Sequence, residues 1–135
     1  IVRRLAGMAD LIVTASSPSQ EEHLGLDYPT LSAYAPIPVL SITNFGHSGP
    51  YRDYRLSDTV LSAMGAEMYS HGLADREPLK LGGTAALLQG GAMASVAAMG
   101  AIHAYELDAL AQLVEVPLFT VQVSNIDRRS SSILG

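Results

Sequence analysis

The sequence predicts an α/β fold built on parallel strands. Two short apolar runs that contain β-branched residues, 10–14 and 39–43, have the composition of strands buried on both faces. The segment between them is about as long as the helical crossover that parallel pairing needs, and such crossovers are right-handed. A run without charged residues over 85–105 predicts one extended helix later in the chain, roughly over 85–106.

The connection between the two strands carries the signals of two short helices. Residues 16–22 have the pattern of a turn followed by the start of a helix. The next helix lies within 27–34, where Asp27 is a good N-cap and Pro29 fits the first turn. Two prolines then end this helix before the second strand begins.

A glycine-containing loop follows the second strand. It carries Gly46, Gly49 and Pro50, and the helix after it is capped by Ser57 or Asp58. Glycine tolerates positive φ and lets a ligand approach the backbone, and α/β proteins form their ligand crevices where such loops leave the strands. The loop has no complete dinucleotide-binding or P-loop pattern, so it indicates the place of a ligand but not its identity.

The second half of the chain predicts two more helices and a strand. Residues 58–70 form a moderately amphipathic helix, and the polar stretch 71–81 is a loop. Residues 114–119 have the pattern of a strand end, at which Pro117 opens a final helix over 118–133.

The composition of the predicted long helix has two interpretations. Residues 85–105 hold no charged side chain, and a run of this length can span a bilayer. However, the run is rich in glycine and alanine and contains Gln89 and His103. These features favour a helix that is buried on several sides of a globular domain and capped by Thr84, and we expect no membrane association.

The composition excludes several classes of function. A net charge of −5 with 16% charged residues argues against a nucleic-acid surface. Because the chain has no cysteine, disulfides, thiol catalysis and cysteine-based zinc sites are excluded. The four histidines never stand at i, i+4 spacing, so we expect no metal site. Since the chain has no cationic signal-peptide start, we expect a cytoplasmic protein.

In its motifs and their order, the chain resembles the family III CoA-transferases, also called the CaiB/BaiF or formyl-CoA transferase family. The similarity runs over nearly all 135 residues without obvious gaps. Its most specific piece is Phe45-Gly46-His47-Ser48-Gly49-Pro50-Tyr51. The supporting pieces are 9–13, 24–28, 41–44, Asp58, Gly91, Glu106 and 114–119.

The resemblance implies both a fold and an activity. Family chains are about three times longer, so residues 1–135 would be the middle of a Rossmann-like large domain, without its N-terminal part and without the small domain. The implied reaction moves CoA from an acyl-CoA to a free carboxylate through an aspartyl-CoA thioester. CoA is then a substrate and not a permanent cofactor. The implied assembly is an interlaced homodimer, or a heteromer with a catalytic homologue.

The resemblance also shows where this chain departs from the family. The nucleophilic aspartate of the family stands four residues before a glycine, which is Gly91 here, so its position is occupied by Leu87. An isobutyl side chain has no lone pair with which to attack a thioester. Neither Asp75 nor Asp108 is an obvious substitute, and we therefore predict that the chain lacks its own nucleophile.

The segments that contact CoA in the family are altered as well. The family's Asn-Phe-x-Pro-Gly stands here as residues 15–19, and its arginine is replaced by His23. Arg55 stands where some members carry a basic CoA contact. The candidate CoA-binding residues are Ala15, Ser16, His23, Leu24, Asn44, Gly46, Gly49, Arg55 and Asp58.

Each candidate also has a structural interpretation. Asn44 can stabilise its turn by a local hydrogen bond, and Asp58 can serve as the acidic residue at a helix N-terminus. Arg55 can be a surface residue, and His47 can be either a donor to a thioester oxygen or a solvated loop residue. Leu87 is most simply a core residue. We expect Glu67 and Glu106 to be solvated or at helix ends.

Three functional hypotheses remain open at this point. The first is an active CoA-transferase whose nucleophile is supplied elsewhere. The second is a non-catalytic subunit or half of a heteromeric CoA-transferase. The third is a small-molecule-binding scaffold that has lost CoA.

Overall fold

A computed structural model describes residues 1–73 and 75–125 and contains a three-stranded parallel sheet. The strands are β1 (Ile12–Thr14), β2 (Val39–Thr43) and β3 (Leu113–Pro117), in the order β1-β2-β3. All three strands run in the same direction, so their carboxyl ends meet at one edge of the sheet. The predicted α/β class, with parallel strands, is confirmed.

Six helices accompany these strands in the part of the chain that the structure describes. They are α1 (Val2–Ala6), α2 (Pro18–Leu24), α3 (Tyr28–Ser32), α4 (Asp58–Met64), α5 (Ala85–Asp108) and α6 (Leu118–Ser124). The sequence analysis did not predict α1. The final helix was predicted over 118–133, and its part beyond residue 125 lies outside the described residues.

The short helices of the crossover begin and end at specific side chains. Ser17 and Gln20 form a capping box at the start of α2, and Gly25, with φ of 65°, ends this helix. The Asp27 carboxylate accepts the Thr30 N–H at 3.0 Å, which caps α3 as predicted. Hydrogen bonding by the Thr30 side chain, and to a smaller extent by this N–H, lowers the pKa of Asp27 below its ordinary value.

The two faces of the sheet differ in polarity because successive strand residues point to opposite sides. Leu40 and Val116 pack with Ala94 of α5 and Val121 of α6 in an apolar cluster. Ser41, the next residue of β2, lies on the other face and contacts α2. The sheet therefore presents an apolar face to the long helix and a polar, buried face to the crossover.

The burial predicted for the long helix is wrong. Helix α5 buries one narrow stripe, which comprises Ala86, Gly90, Ala94 and Ala101, against the rest of the described chain. Large apolar side chains on its other sides, including Leu88 and Val96, are exposed. The sequence could not reveal this, because residues 85–105 carry no charged side chain that would mark a solvent-facing side of the helix. By length and composition alone, this helix could also cross a membrane.

Two smaller expectations also need correction. The Thr84 side chain makes no capping hydrogen bond to α5. The helix predicted over 58–70 ends at Met64, because Gly65 ends α4 and Ala66 has φ of 60°, and a single 3₁₀ turn follows at Met68–Ser70. Glu67 lies at a helix end, as expected, because it directly precedes this turn, and its side chain is buried.

The packing between α5 and α6 yields a test that uses two adjacent glycines. A Cβ at Gly90 would overlap with the Cδ2 of Leu118, whereas a Cβ at Gly91 would meet no atom within 4 Å. Gly91→Ala should raise the free energy of unfolding by about 0.5–1 kcal/mol through helix propensity. Gly90→Ala has the same gain in helix propensity, but the Cδ2 methyl of Leu118 must move to make room, so its net gain should be smaller or absent. Urea unfolding measures both, and equal effects at the two positions would contradict this packing.

Candidate functional site

A cleft of about 440 Å³ opens at the carboxyl ends of the three strands. Its lining residues follow β1, begin α2, end β2, form part of the glycine-containing loop, or begin α6. They are Ala15, Ser16, Ser17, Ser19, Gln20, Ile42, Thr43, Asn44, Asp53, Tyr54, Arg55 and Leu118. This is the edge of a parallel sheet at which α/β proteins hold their ligands.

The cleft brings together four of the nine candidate residues, namely Ala15, Ser16, Asn44 and Arg55. The other five do not line it. His23 and Leu24 are exposed on the last turn of α2. Gly46 and Gly49 lie in the loop above β2, where both have φ near 90°, a conformation that favours glycine. Asp58 begins α4.

Asp58 is held in an ion pair. Its Oδ2 accepts a hydrogen bond from Lys80 Nζ at 2.5 Å, and the same ammonium donates to the carbonyl oxygens of Leu81 and Gly83. The N-cap of α4 is Ser57, whose Oγ accepts the Val60 N–H. Asp58 therefore links the start of α4 to the segment that leads into α5.

Leu87 lies in the first turn of α5, and 44% of its surface is exposed. The expectation that it is a core residue is wrong for the described chain. Its aliphatic side chain offers no hydrogen-bonding or nucleophilic group at this position.

A buried carboxylate anchors the glycine-containing loop to the sheet. Glu21 of α2 is only 1% exposed and accepts a hydrogen bond from the Ser41 hydroxyl at 3.1 Å. The Nε2 atom of His47 lies 2.8 Å from the same Ser41 oxygen and 3.8 Å from Glu21 Oε2. Because the Ser41 proton is directed to Glu21, the imidazole is the donor in this contact. His47 is thus neither a solvated loop residue nor directed to a ligand.

The loop backbone is held by β2 and β3 as well. The N–H of Gly46 donates to Thr43 Oγ1 at 2.8 Å, and the N–H of His47 donates to Glu115 Oε2 at 3.1 Å. Thr43 is the last residue of β2, and Glu115 is the middle residue of β3. The loop is therefore fixed at its beginning by side chains of two neighbouring strands.

Further along, the loop is attached to the first helix of the crossover. Asp53 Oδ1 accepts the N–H of Ser19 at 3.0 Å, and this hydrogen bond lowers the pKa of Asp53 below its ordinary value of 3.8. Arg52 bridges Glu22 at 2.6 Å and Asp53 at 3.2 Å, and the hydrogen bond to Glu22 raises the pKa of Arg52. The stabilisation from Asp53 is thus present above pH 3.8 and is lost as the pH falls through the lowered pKa.

Aromatic rings pack along the same loop. Phe119 of α6 contacts Phe45 at a centroid distance of 5.6 Å, Phe45 contacts Tyr51 at 5.8 Å, and Tyr51 contacts Tyr54 at 5.1 Å. These tilted and edge-on arrangements are the favourable ones for aromatic pairs. These ring contacts connect Phe119 of α6 to Tyr54, which lines the cleft beside Arg55.

Asn44 has a structural role, although its hydrogen bond is not the local one expected within the turn. Its Nδ2 donates to the Tyr54 carbonyl at 2.9 Å, and its backbone carbonyl accepts the Phe119 N–H at 3.0 Å. The side chain thereby closes the loop across ten residues and joins the end of β2 to the wall of the cleft.

Arg55 differs from its neighbours in the cleft. Its guanidinium makes no hydrogen bond or ion pair with any residue of 1–73 or 75–125, and its side chain is exposed. Arginine keeps its charge at all physiological pH values and binds carboxylates and phosphates through a planar fork of donors. The cleft therefore contains a permanently charged guanidinium, which no described residue neutralises and which can bind an anionic ligand.

Within the described residues, no group of three histidine, aspartate or glutamate side chains could hold a metal ion. Among the described residues that line the cleft, the groups offered to a ligand are hydrogen-bonding backbone and side-chain groups, the Arg55 guanidinium, and the apolar surfaces of Ile42 and Leu118.

A family model for CoA-transferase family III matches residues 1–131. The chain belongs to CoA-transferase family III. A crystal structure of a CAIB/BAIF family protein from Brucella suis superposes with a TM-score of 0.91 at 30% identity, over 98% of this chain and 35% of that one.

Two curated relatives extend the family comparison. The succinyl-CoA–D-citramalate CoA-transferase of Chloroflexus aurantiacus is 27% identical over 120 residues, which are 88% of this chain and 30% of that protein. The subunit BbsE of the succinyl-CoA:(R)-benzylsuccinate CoA-transferase of Thauera aromatica is 31% identical over 117 residues, which are 86% of this chain and 28% of BbsE. The chain thus spans about a third of the length of these family III proteins.

The anchoring of the loop by a buried carboxylate can be tested at Ser41. Ser41→Ala removes the donor to Glu21 and leaves a buried carboxylate less satisfied, so the free energy of unfolding should fall by about 1–3 kcal/mol. Ser48→Ala is the control, because Ser48 is an exposed residue of the same loop. Urea unfolding measures both variants. If the two serines gave the same small effect, the Glu21–Ser41–His47 contact would not anchor the loop.

Proposed function

We propose that the protein binds acyl-CoA in this cleft and takes part in moving CoA from an acyl-CoA to a carboxylate. The observation that carries the proposal is the unpaired Arg55 guanidinium in a cleft at the carboxyl ends of parallel strands. Phosphate groups of CoA and the carboxylate of a co-substrate are anions that such a group binds. The cleft volume of about 440 Å³ also lies within the usual range for ligand pockets.

The remaining lining residues are suited to the neutral parts of such a ligand. Ser16, Ser17 and Asn44 offer hydroxyl and amide groups, whereas Ile42 and Leu118 offer apolar surface. A few polar groups that orient a ligand on an apolar floor are the usual composition of a small-molecule site. CoA would bind as a substrate that enters and leaves, and no permanent cofactor is proposed.

The described chain is proposed to lack a nucleophile for the transfer. The family position of the nucleophile falls at Leu87, which cannot attack a thioester. Among the described residues that line the cleft, Asp53 carries a carboxylate, but Ser19 and Arg52 already contact both of its oxygens. The nucleophile would therefore come from elsewhere, either from another part of a longer protein or from a partner subunit.

This leads to the second candidate function, a non-catalytic subunit or half of a heteromeric CoA-transferase. Two observations favour it, the residue at position 87 and the similarity to BbsE, which its name describes as a subunit. The third candidate, a scaffold without CoA, is favoured only if CoA binding is absent.

The family resemblance is also the basis for a proposal about the whole protein and its assembly. Residues 1–135 would form a portion of the large domain of a longer cytoplasmic protein. That protein would act as an interlaced homodimer or as a heteromer with a catalytic homologue, on acyl-CoA and carboxylic acids, away from nucleic acids and membranes.

CoA binding by the full-length protein tests the proposal at Arg55. Arg55→Ala removes a charge-assisted contact worth about 1.5–3 kcal/mol, so the dissociation constant for CoA should rise about 10-fold to 100-fold. Arg76→Ala, which removes the same charge from an exposed loop outside the cleft, should leave the affinity unchanged. Isothermal titration calorimetry gives both values, and a full-length protein that does not bind CoA would favour the scaffold.

Intact-mass spectrometry tests the missing nucleophile. The wild-type full-length protein, incubated with succinyl-CoA, should show no covalent adduct. Leu87→Asp supplies a carboxylate that can attack the succinyl thioester, which forms a mixed anhydride and releases the CoA thiolate. The thiolate then attacks the aspartyl carbonyl and releases succinate, so the mass of the protein should rise by that of CoA less water.

The control for this experiment is Leu88→Asp, which places the same group one residue further along the same exposed helix turn. An adduct on the wild-type protein would show that another carboxylate does the chemistry. If neither variant forms an adduct while CoA still binds, position 87 is not the place of the nucleophile or further catalytic groups are missing.

A further inference from the structure

The residues 53–55 form one wall of the cleft and are attached to the rest of the fold on three sides. The carboxylate of Asp53 holds the Ser19 N–H at 3.0 Å, and the carbonyl of Tyr54 accepts the Asn44 side chain at 2.9 Å. The N–H of Tyr54 donates to the Tyr51 carbonyl at 2.9 Å, which closes a turn. These contacts reach α2, the end of β2 and the loop itself, and they stop one residue before Arg55.

The hydrogen bond accepted by Asp53 differs from the other two in its span along the chain and in the charge of its acceptor. It joins two segments that are 34 residues apart, and its acceptor is a charged carboxylate, which forms stronger hydrogen bonds than a neutral acceptor. Its second oxygen faces Arg52, whose guanidinium also contacts Glu22 of α2. The Asp53 carboxylate thus joins this wall to the opposite wall of the cleft, which the first turn of α2 forms.

Arg55 itself lacks any such attachment among the described residues, as shown above. Its place in the cleft is therefore set by the backbone that carries it, and that backbone is held by the contacts of Asp53 and Tyr54. We propose that Asp53 is a positioning residue that holds Arg55 in place for an anionic group of the ligand. This inference rests on the proposed binding of CoA in the cleft.

A carboxylate beside an anion site could also act by repulsion, and the two roles predict opposite results. If Asp53 repelled the ligand, its removal would increase the affinity for CoA. If Asp53 positions Arg55, its removal lowers the affinity, and only while Arg55 is present. The geometry favours positioning, because Ser19 N–H and Arg52 already compensate the charge of Asp53.

The test is a double-mutant cycle on the full-length protein, with CoA as the ligand and calorimetry as the measurement. Asp53→Ala should raise the dissociation constant about 5-fold to 10-fold, since a loosened contact loses part of what Arg55→Ala loses. In the Arg55→Ala background, the same substitution should have no further effect. Asp75→Ala controls for the loss of one negative charge, because Asp75 is exposed in a loop that does not line the cleft.

Asp53→Asn supplies the conservative variant, because its amide oxygen can still accept the Ser19 N–H. It should restore most of the affinity that Asp53→Ala loses, and it keeps the test informative if the alanine variant fails to fold. Tighter CoA binding by Asp53→Ala, or an equal loss with and without Arg55, would overturn the positioning role. A wild-type protein that binds no CoA would instead refute the proposed function on which the inference rests.

Discussion

The contact that the rest of the site depends on is the one between Glu21, Ser41 and His47. A carboxylate that is taken out of water is costly unless donors compensate it. Here the Ser41 hydroxyl of β2 donates to Glu21 directly, and His47 of the glycine-containing loop donates to Ser41 and lies 3.8 Å from the carboxylate. One buried side chain therefore sets the distance between α2, the sheet and the loop. Because α2 and the loop are the two walls of the cleft, the shape of the cleft follows from this contact.

The sequence reveals the framework of this arrangement and its location. The apolar run that became β2 and the glycines at 46 and 49 predict a strand, a loop and a crevice at the strand end. The structure places the cleft there. These features are local, since strand composition, prolines and positive-φ glycines act within a few residues of the chain. The family was also recognisable, because its most specific motif lies in the same loop.

The sequence could not reveal which side chains meet across the fold. Glu21 and Ser41 are 20 residues apart, and Ser19 and Asp53 are 34 apart, so neither pairing leaves a periodic signal. His47 was assigned to solvent or to a ligand because its buried partners were not visible. The orientation of α5 could not be predicted for a different reason. Alanine and glycine occur on every side of this helix, so no face is distinctly polar.

Two alanines in the described chain adopt a conformation that usually belongs to glycine. Ala109, which follows α5, has φ of 53°, and Ala66, which follows α4, has φ of 60°. A left-handed conformation costs a residue with a Cβ about 1–2 kcal/mol, a sizeable share of the 5–15 kcal/mol by which most domains are stable. Both strained residues lie at helix ends outside the cleft. Substitutions that relieve the strain should therefore raise the stability of the protein without altering the cleft.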